Sequence, residues 1–146
     1  MQKNPAMQHL ILGYSFAAIL LCSSTLAPLA IAADGPMVRT ENGISHVSGG
    51  VGEESAKELG AITKDFNLKL VFVLQSGNYV SDVRVNIMDA AGKTLLETTS
   101  EGPFLLARLP KGKYQIVATL SGITIKHQIV VGTAPLSTLH FRWAAE

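Results

Sequence analysis

Cysteine is almost absent from this sequence. The 146 residues contain a single one, Cys22, which lies inside an amino-terminal apolar stretch. If that stretch is removed after synthesis, no cysteine remains, so the disulfide framework that stabilises many small extracellular domains is excluded. The fold must therefore be stabilised by a packed hydrophobic core, and a chain of this length can supply one.

An excess of charge of one sign is also lacking. The chain carries 12 Lys and Arg against 11 Asp and Glu, and like charges never form a block. A protein that binds nucleic acid usually shows a basic patch or stripe. The sequence therefore predicts no nucleic-acid partner.

Long apolar runs are scarce, and the longest is short for a membrane span. It covers residues 10–22 and reads LILGYSFAAILLC, thirteen residues without a charge, whereas crossing a bilayer takes about 20. Lys3 precedes it, and the small-residue triplet AIA follows at residues 30–32. A positive start, a short apolar run and an A-x-A site together are typical of a secretory signal peptide.

We therefore expect residues 1–32 to be a signal peptide that is cleaved after Ala32 or Ala33. The protein would then be periplasmic or secreted, and no later segment is apolar for long enough to span a membrane. An uncleaved anchor is the alternative. Lipid attachment at Cys22 is not expected, because Leu21 stands where a lipoprotein normally has a small residue.

Recognisable catalytic motifs are lacking as well. The letters GKT at residues 92–94 match the end of a phosphate-binding loop, but that loop requires a glycine where this chain has Ile87. No G-x-S-x-G nucleophile motif occurs. Asp82 and Asp89 lie too far apart along one predicted strand to act as a carboxylate pair. The sequence predicts a protein that is not an enzyme and has no cofactor, with GKT in a turn.

Three histidines follow the predicted signal peptide, His46, His127 and His140. A zinc site needs three or four convergent ligands. His127 alternates with isoleucines and is expected to be partly buried, whereas His140 alternates with Thr138 and Arg142 and should face a different surface. No metal site is predicted, and binding by two of the histidines is the remaining alternative.

Two segments with different sequence patterns follow the predicted signal peptide. Residues 33–52 are rich in glycine and polar residues and predict a flexible leader, within which 44–47 could form a short strand. Residues 53–66 predict a helix, because their apolar residues recur every three or four positions. Those residues are Ala56, Leu59, Ile62 and Phe66.

From residue 67 onward the apolar residues alternate with a period of two, which is typical of β-strands. Turn residues separate the alternating runs about every 8–12 residues. The runs are 68–74, 83–88, 93–99, 104–109, 113–120, 123–131 and 139–143. They predict an all-β fold for residues 67–146, a seven-stranded antiparallel sandwich or barrel with one N-terminal helix.

One stretch carries a family resemblance. Its first part is a strand and turn formed by Val83, Val85, Ile87, Asp89, Gly92 and Lys93. Its second part is formed by Gly102, Phe104, Leu106, Leu109, Pro110, Gly112, Tyr114 and Ile116. This pattern resembles the carboxypeptidase-regulatory-like domain over about residues 68–143, and the resemblance implies a seven-stranded antiparallel Greek-key sandwich of the prealbumin-like or Ig-like kind. The whole chain is similar to small exported bacterial proteins that carry this domain alone, and the resemblance implies a non-catalytic module.

The resemblance and the missing catalytic groups predict a module that binds an envelope protein or another envelope component. A carbohydrate-binding module, with a glycan as partner, is the alternative, and a metal-binding or enzymatic protein is less favoured. The candidate contact residues are Tyr79, beside a Gly-Asn turn, Trp143, near the C-terminus, His140 and Arg142.

The remaining aromatic side chains are expected in the core. Strand alternation assigns Phe72, Phe104, Tyr114 and Phe141 to core-facing positions, and Trp143 shares that pattern although its place near the C-terminus could leave it partly exposed. A sugar platform usually needs two or three exposed aromatic rings. The carbohydrate alternative therefore depends on exposure of Tyr79, Tyr114 and Trp143 together.

Overall fold

The computed structural model describes residues 35–144. The predicted signal peptide, residues 1–32, and its cleavage site lie outside the described residues. The elements, in chain order, are β1 (Arg39–Glu41), β2 (Ile44–Gly49), α1 (Gly52–Ile62), a 3-10 turn (Thr63–Asp65), β3 (Leu68–Leu74), β4 (Arg84–Asp89), β5 (Thr94–Thr99), β6 (Phe104–Arg108), β7 (Gly112–Leu120), β8 (Ile123–Val131) and β9 (Ser137–Trp143).

These strands form two sheets. Sheet A has five strands in the order β1-β2-β6-β3-β9, and sheet B has four in the order β5-β4-β7-β8. Neighbouring strands are antiparallel except β3 and β9, which run parallel over their whole length. The fold is therefore mostly β and sandwich-like, with one α-helix in the described part of the chain.

The core lies between the two sheets and follows directly from the alternation in the strands. In β3, for example, Leu68, Leu70 and Phe72 are fully buried and belong to one cluster with the inner residues of β4 and β7. Each buried aliphatic or aromatic side chain contributes about 1.5–3 kcal/mol relative to exposure. The largest buried side chains of this core are Trp143, Phe72, Phe141, Leu68, Leu70, Ile87, Leu96, Leu105 and Ile116.

Gly92 and Lys93 of the GKT triplet lie in the hairpin turn between β4 and β5, and Thr94 begins β5. The Asp89 carboxylate accepts hydrogen bonds from the backbone N–H groups of Ala91 and Lys93, both at 2.9 Å. Gly92 has φ +82°, a left-handed conformation that glycine adopts without steric cost. The turn is closed by side-chain and backbone hydrogen bonds, as the sequence predicted, and no helix follows it.

Two expectations about strand number and direction are corrected. Seven strands follow the helix, at the predicted places, but β1 and β2 precede it, so the described fold has nine strands rather than seven. The fold is not wholly antiparallel, because β9 returns beside β3 in the same direction. The helix consequently lies between β2 and β3 instead of preceding the sandwich.

The prediction of a flexible leader at 33–52 is wrong where the structure describes that segment. Residues of β2 pair with β6 from Ser45 to Gly49, and Ile44, His46 and Val47 are at most 4% exposed. The piece 44–47, which the sequence left as a doubtful strand, is part of the core. Its neighbour β1 is exposed, but it too is paired, as the edge strand of sheet A.

Tyr114 closes the loop between β6 and β7. It is buried, and its hydroxyl donates a hydrogen bond of 2.6 Å to the carbonyl oxygen of Pro110. Burial, and secondarily the negative charge of Asp89, raises the pKa of Tyr114 above its ordinary value of 10.0. The folded protein therefore favours the neutral phenol.

This preference predicts a loss of stability at high pH. Tyr114 in the unfolded chain begins to ionise at a pH where the folded protein keeps it neutral, so its contribution is complete below about pH 10 and is lost as the pH rises through the folded pKa. Urea midpoints measured between about pH 9 and 11 should fall more steeply for the wild type than for Tyr114→Phe. Tyr79→Phe, at an exposed tyrosine, is the control and should follow the wild type.

Candidate binding face

The helix covers only half of the outer face of sheet A. Its buried Leu59, together with Phe66, packs against Val47 of β2 and Leu106 of β6 in a second, smaller hydrophobic cluster. This packing explains why β6 is buried on both faces. The outer face of β3 and β9, on the far side of β6, has no residue in that cluster.

Strand register brings three of the predicted contact residues together on this uncovered half. Val71 pairs with His140 of β9 and with Phe104 of β6. One pleat further along, Val73 pairs with Arg142 of β9 on one side. On the other side Val73 forms an isolated bridge with Tyr79. Two rows of side chains therefore cross the face.

We call this surface the β3–β9 face and define it by five residues, Lys69, Tyr79, Phe104, His140 and Arg142. They surround Val71 and Val73, which are only 6% and 7% exposed. His140 and Arg142 are exposed, and Tyr79 is 63% exposed. The face combines an apolar floor with polar and aromatic side chains that are free to contact a partner.

The aromatic part of the face is ordered by contacts among its own members. The Tyr79 ring meets the Phe104 ring edge to face, with 5.5 Å between centroids. The Lys69 ammonium lies 4.6 Å from the centroid of the same Phe104 ring, a cation–π contact worth about 0.5–1 kcal/mol at an exposed site. These contacts hold Tyr79 in place although most of its surface is exposed.

The charge on the face is positive. Lys69 and Arg142 are cations, and none of the five residues is a carboxylate. Within residues 35–144 a single ion pair occurs, between Arg39 and Glu101 at 2.7 Å. The cations of the β3–β9 face are therefore not neutralised by any carboxylate in the described part of the chain, and the face favours an acidic partner surface.

Trp143 does not belong to this face, so its prediction as a contact residue is wrong. It is 2% exposed and lies in the core, near Phe72 and Phe141 at centroid distances of 6.3 and 6.2 Å. Its Nε1 donates a hydrogen bond of 2.9 Å to the carbonyl oxygen of Ile123. The physical reason is its place on β9, where alternate residues face inward and parallel pairing with β3 prevents fraying.

The same finding removes the basis of a sugar platform. Tyr114 is 7% exposed and Trp143 is 2% exposed, so Tyr79 is alone at the surface among the three rings that would have formed it. Stacking on a pyranose ring by two or three coplanar aromatics is not possible with these residues. No geometric argument therefore favours the carbohydrate-binding alternative.

Two residues of the face were missed or misplaced by the sequence. Phe104 was assigned to the core, but it lies on the outer face and remains partly exposed beside Tyr79. The run FLLA at 104–107 has no alternation that separates inner from outer positions. Lys69 did carry a signal, because it is the one charged residue in the apolar strand Leu68–Leu74.

The histidines occupy different environments. His46 is 4% exposed, with no hydrogen-bond partner for its Nδ1 among residues 35–144. His127 is partly buried and packs edge to face on Phe141 at 4.7 Å, as its alternation with isoleucines predicted. His140 is exposed on the β3–β9 face. The described residues contain no group of three or more His, Cys, Asp or Glu side chains placed to hold a metal ion.

Comparisons with known proteins supply no further identification. No family model matches the chain, and no curated protein sequence matches it. In the part of the chain that the structure describes, no helix is long and apolar enough to cross a membrane.

Proposed function

We propose that the protein is an exported, non-catalytic binding module that recognises a protein component of the cell envelope through the β3–β9 face. The observation that carries this proposal is the convergence of Tyr79, His140 and Arg142 on one uncovered sheet face. Tyrosine and arginine are enriched in the energetically dominant parts of protein interfaces. An exposed sheet surface with an apolar floor suits contact with another protein better than enclosure of a small molecule.

Family membership belongs to the same proposal. We propose that the seven strands after the helix, β3 to β9, are a carboxypeptidase-regulatory-like Greek-key sandwich to which β1 and β2 are added. Two local features support it. The D-x-x-G-K segment is the turn that follows Asp89, and the L-P-x-G-x-Y segment places Tyr114 where its hydroxyl donates a hydrogen bond to the Pro110 carbonyl oxygen. Both motifs thus have a structural explanation rather than a catalytic one.

Export is proposed from the amino-terminal pattern of Lys3, the apolar run at 10–22 and the AIA site at 30–32. It agrees with the composition of the described domain, whose stability requires no cysteine. The partner would then be met in the periplasm or outside the cell.

Substitutions on the β3–β9 face are expected to weaken binding without unfolding the protein. Tyr79→Ala and Arg142→Ala should each reduce affinity about 30-fold, since interface residues of these types commonly contribute 2 kcal/mol or more. A photo-crosslinking residue at Thr138, which register places beside Lys69, should give a discrete adduct in the native envelope. Unlabelled Tyr79→Ala or Arg142→Ala protein should compete for that adduct about 30-fold less well than wild type.

Matched controls lie on the outer face of sheet B. Lys126→Ala removes an equivalent exposed cation, and a crosslinking residue at Thr124 occupies an equivalent exposed strand position. The Lys126→Ala protein should compete as well as wild type, and the Thr124 probe should not give the Thr138 adduct. Equal competition by all variants, or the same adduct from both probes, would exclude the β3–β9 face as the binding surface.

A further inference from the structure

A second basic surface lies at one end of the sandwich, away from the residues of the β3–β9 face. It is a groove of about 720 Å³ between the end of β6, the start of β3 and the loop that joins β8 to β9. Three of its lining residues are cations, Lys64, Arg108 and Lys111. We call it the basic groove and define it by these three residues.

The charge of the basic groove is not compensated within the described chain. No Asp or Glu side chain lines it, and the single ion pair within residues 35–144 is the one between Arg39 and Glu101. Asp65 does not line the groove, and its main-chain oxygen accepts a hydrogen bond of 2.8 Å from Nη1 of Arg108. Three like charges around one concavity create a positive potential that concentrates anions.

The walls of the groove are held in place before any ligand arrives. The Asn67 side chain forms two hydrogen bonds with Leu109, accepting from its N–H at 2.9 Å and donating to its carbonyl at 2.7 Å. The backbone oxygen of Asn67 accepts a further bond from the N–H of Ser137, at 2.9 Å. These bonds join β6, β3 and β9 at the groove, so little ordering entropy is lost when a ligand binds.

We infer that the basic groove binds a small ligand that carries phosphate groups. The planar guanidinium of Arg108 can donate two parallel hydrogen bonds to phosphate oxygens, while Lys64 and Lys111 add mobile point charges. The hydroxyls of Ser45 and Thr133, which also line the groove, are further donors. The volume exceeds that of one phosphate ion and lies within the usual range of about 300–1,000 Å³ for ligand sites.

The cations and hydroxyls of the basic groove suit a phosphate ester of a polar molecule, which could come from two sources. One is a soluble phosphorylated compound, and the other is the headgroup of an anionic phospholipid. This inference goes beyond the proposed protein-binding function, because no residue of the basic groove belongs to the β3–β9 face. The two proposals can therefore succeed or fail separately.

The test uses the exported protein as purified from cells and follows its backbone amide NMR shifts. Four probes are titrated, namely inorganic pyrophosphate, glycerol 3-phosphate, vesicles of phosphatidylcholine alone, and vesicles that also contain phosphatidylglycerol. Pyrophosphate, glycerol 3-phosphate or the phosphatidylglycerol vesicles, but not vesicles of phosphatidylcholine alone, should shift amides around residues 108–111 and 132–135 with a dissociation constant below about 1 mM. Response to glycerol 3-phosphate alone identifies a soluble ligand, whereas response to phosphatidylglycerol vesicles alone identifies a lipid headgroup.

Variants make the result specific. Arg108→Gln and Lys111→Gln should each weaken binding about 10-fold or more, as expected for loss of one charge-assisted hydrogen bond. Lys126→Gln on sheet B removes the same charge elsewhere and should leave binding within about twofold of wild type. Lys111→Gln is the decisive variant, because Arg108→Gln also removes the bond to Asp65.

Three results would overturn the inference. The first is the absence of any phosphate-dependent shift in the wild type. The second is equal weakening by Lys126→Gln and Lys111→Gln, which would show attraction to net charge alone. The third is shifts confined to residues outside the groove. Crosslinking to an envelope protein from Thr138 is independent of each of these results.

Discussion

Trp143→Ala is expected to lower the free energy of unfolding by about 3–5 kcal/mol. The side chain is 2% exposed and packs with Phe72 and Phe141. Its truncation leaves a cavity. It also removes the indole N–H, so the carbonyl oxygen of Ile123 loses that hydrogen bond. Because β9 belongs to sheet A and Ile123 begins β8 of sheet B, this one side chain joins the two sheets. A domain of this size has about 5–15 kcal/mol in total, so the loss is a large share.

Urea unfolding followed by far-ultraviolet circular dichroism measures this effect without relying on tryptophan fluorescence. Thr138→Ala, an exposed position on the same strand, is the matched control and should change stability by no more than about 0.5 kcal/mol. If Trp143→Ala unfolds at the wild-type urea midpoint, the indole is not a core residue, and the prediction of Trp143 as a contact residue would stand.

Gly102→Ala is expected to destabilise the protein by about 3 kcal/mol, the upper end of the usual cost of overpacking. A Cβ built on Gly102 would overlap the carbonyl carbon and oxygen of Gly49 at the end of β2. Both atoms are backbone, so no flexible side chain can move aside. The end of β2 would have to move away from the segment before β6. The Ser48 hydroxyl joins the two there, because it donates to the carbonyl oxygen of Phe104 and accepts from the N–H of Glu101.

Gly60→Ala is the control, because it makes the same chemical change in open space. No atom lies within 4 Å of a Cβ built on Gly60, and the residue is exposed on α1. Alanine there should raise the free energy of unfolding by about 0.5–1 kcal/mol through helix propensity. Thermal unfolding of both variants should therefore show shifts of opposite sign. A melting temperature of Gly102→Ala at or above that of the wild type would contradict the close approach of β2 and Gly102.

The strands after the helix were predictable from sequence because their signals are local. The alternation within β7 and β8 and the Ser121-Gly122 turn between them lie within a few residues of one another. β2 has one local signal, the Asn42-Gly43 turn that joins it to β1, but its aliphatic residues Ile44 and Val47 do not alternate. Its other partner is β6, far along the chain, and neither segment alone indicates that contact.

The alternation of side chains along a strand explains which surface residues were predicted and which were missed. Alternation shows that Phe141 and His140 face opposite sides of β9, but it does not show which side is covered. Phe104 was misassigned for this reason, because α1 covers the outer face of β6 and buries Leu106 there as deeply as Leu105 inside. The sequence contains no local signal for a helix that packs on one half of a sheet.

The convergence of the candidate residues could not be predicted from sequence. Tyr79, His140 and Arg142 were proposed individually, from a turn and from strand parity. They share a face because β9 pairs in parallel with β3 in the register that sets Val73 beside Arg142. A parallel partner reached by a long connection leaves no nearby turn that would fix this register.

The place of β9 in the chain also determines when the domain can fold. A ribosome delivers a chain from its amino terminus, so β3 emerges well before β9. Until residues 137–143 follow, β3 lacks one neighbour and the core lacks Phe141 and Trp143. The core of the sandwich therefore cannot be completed before this segment has been synthesised.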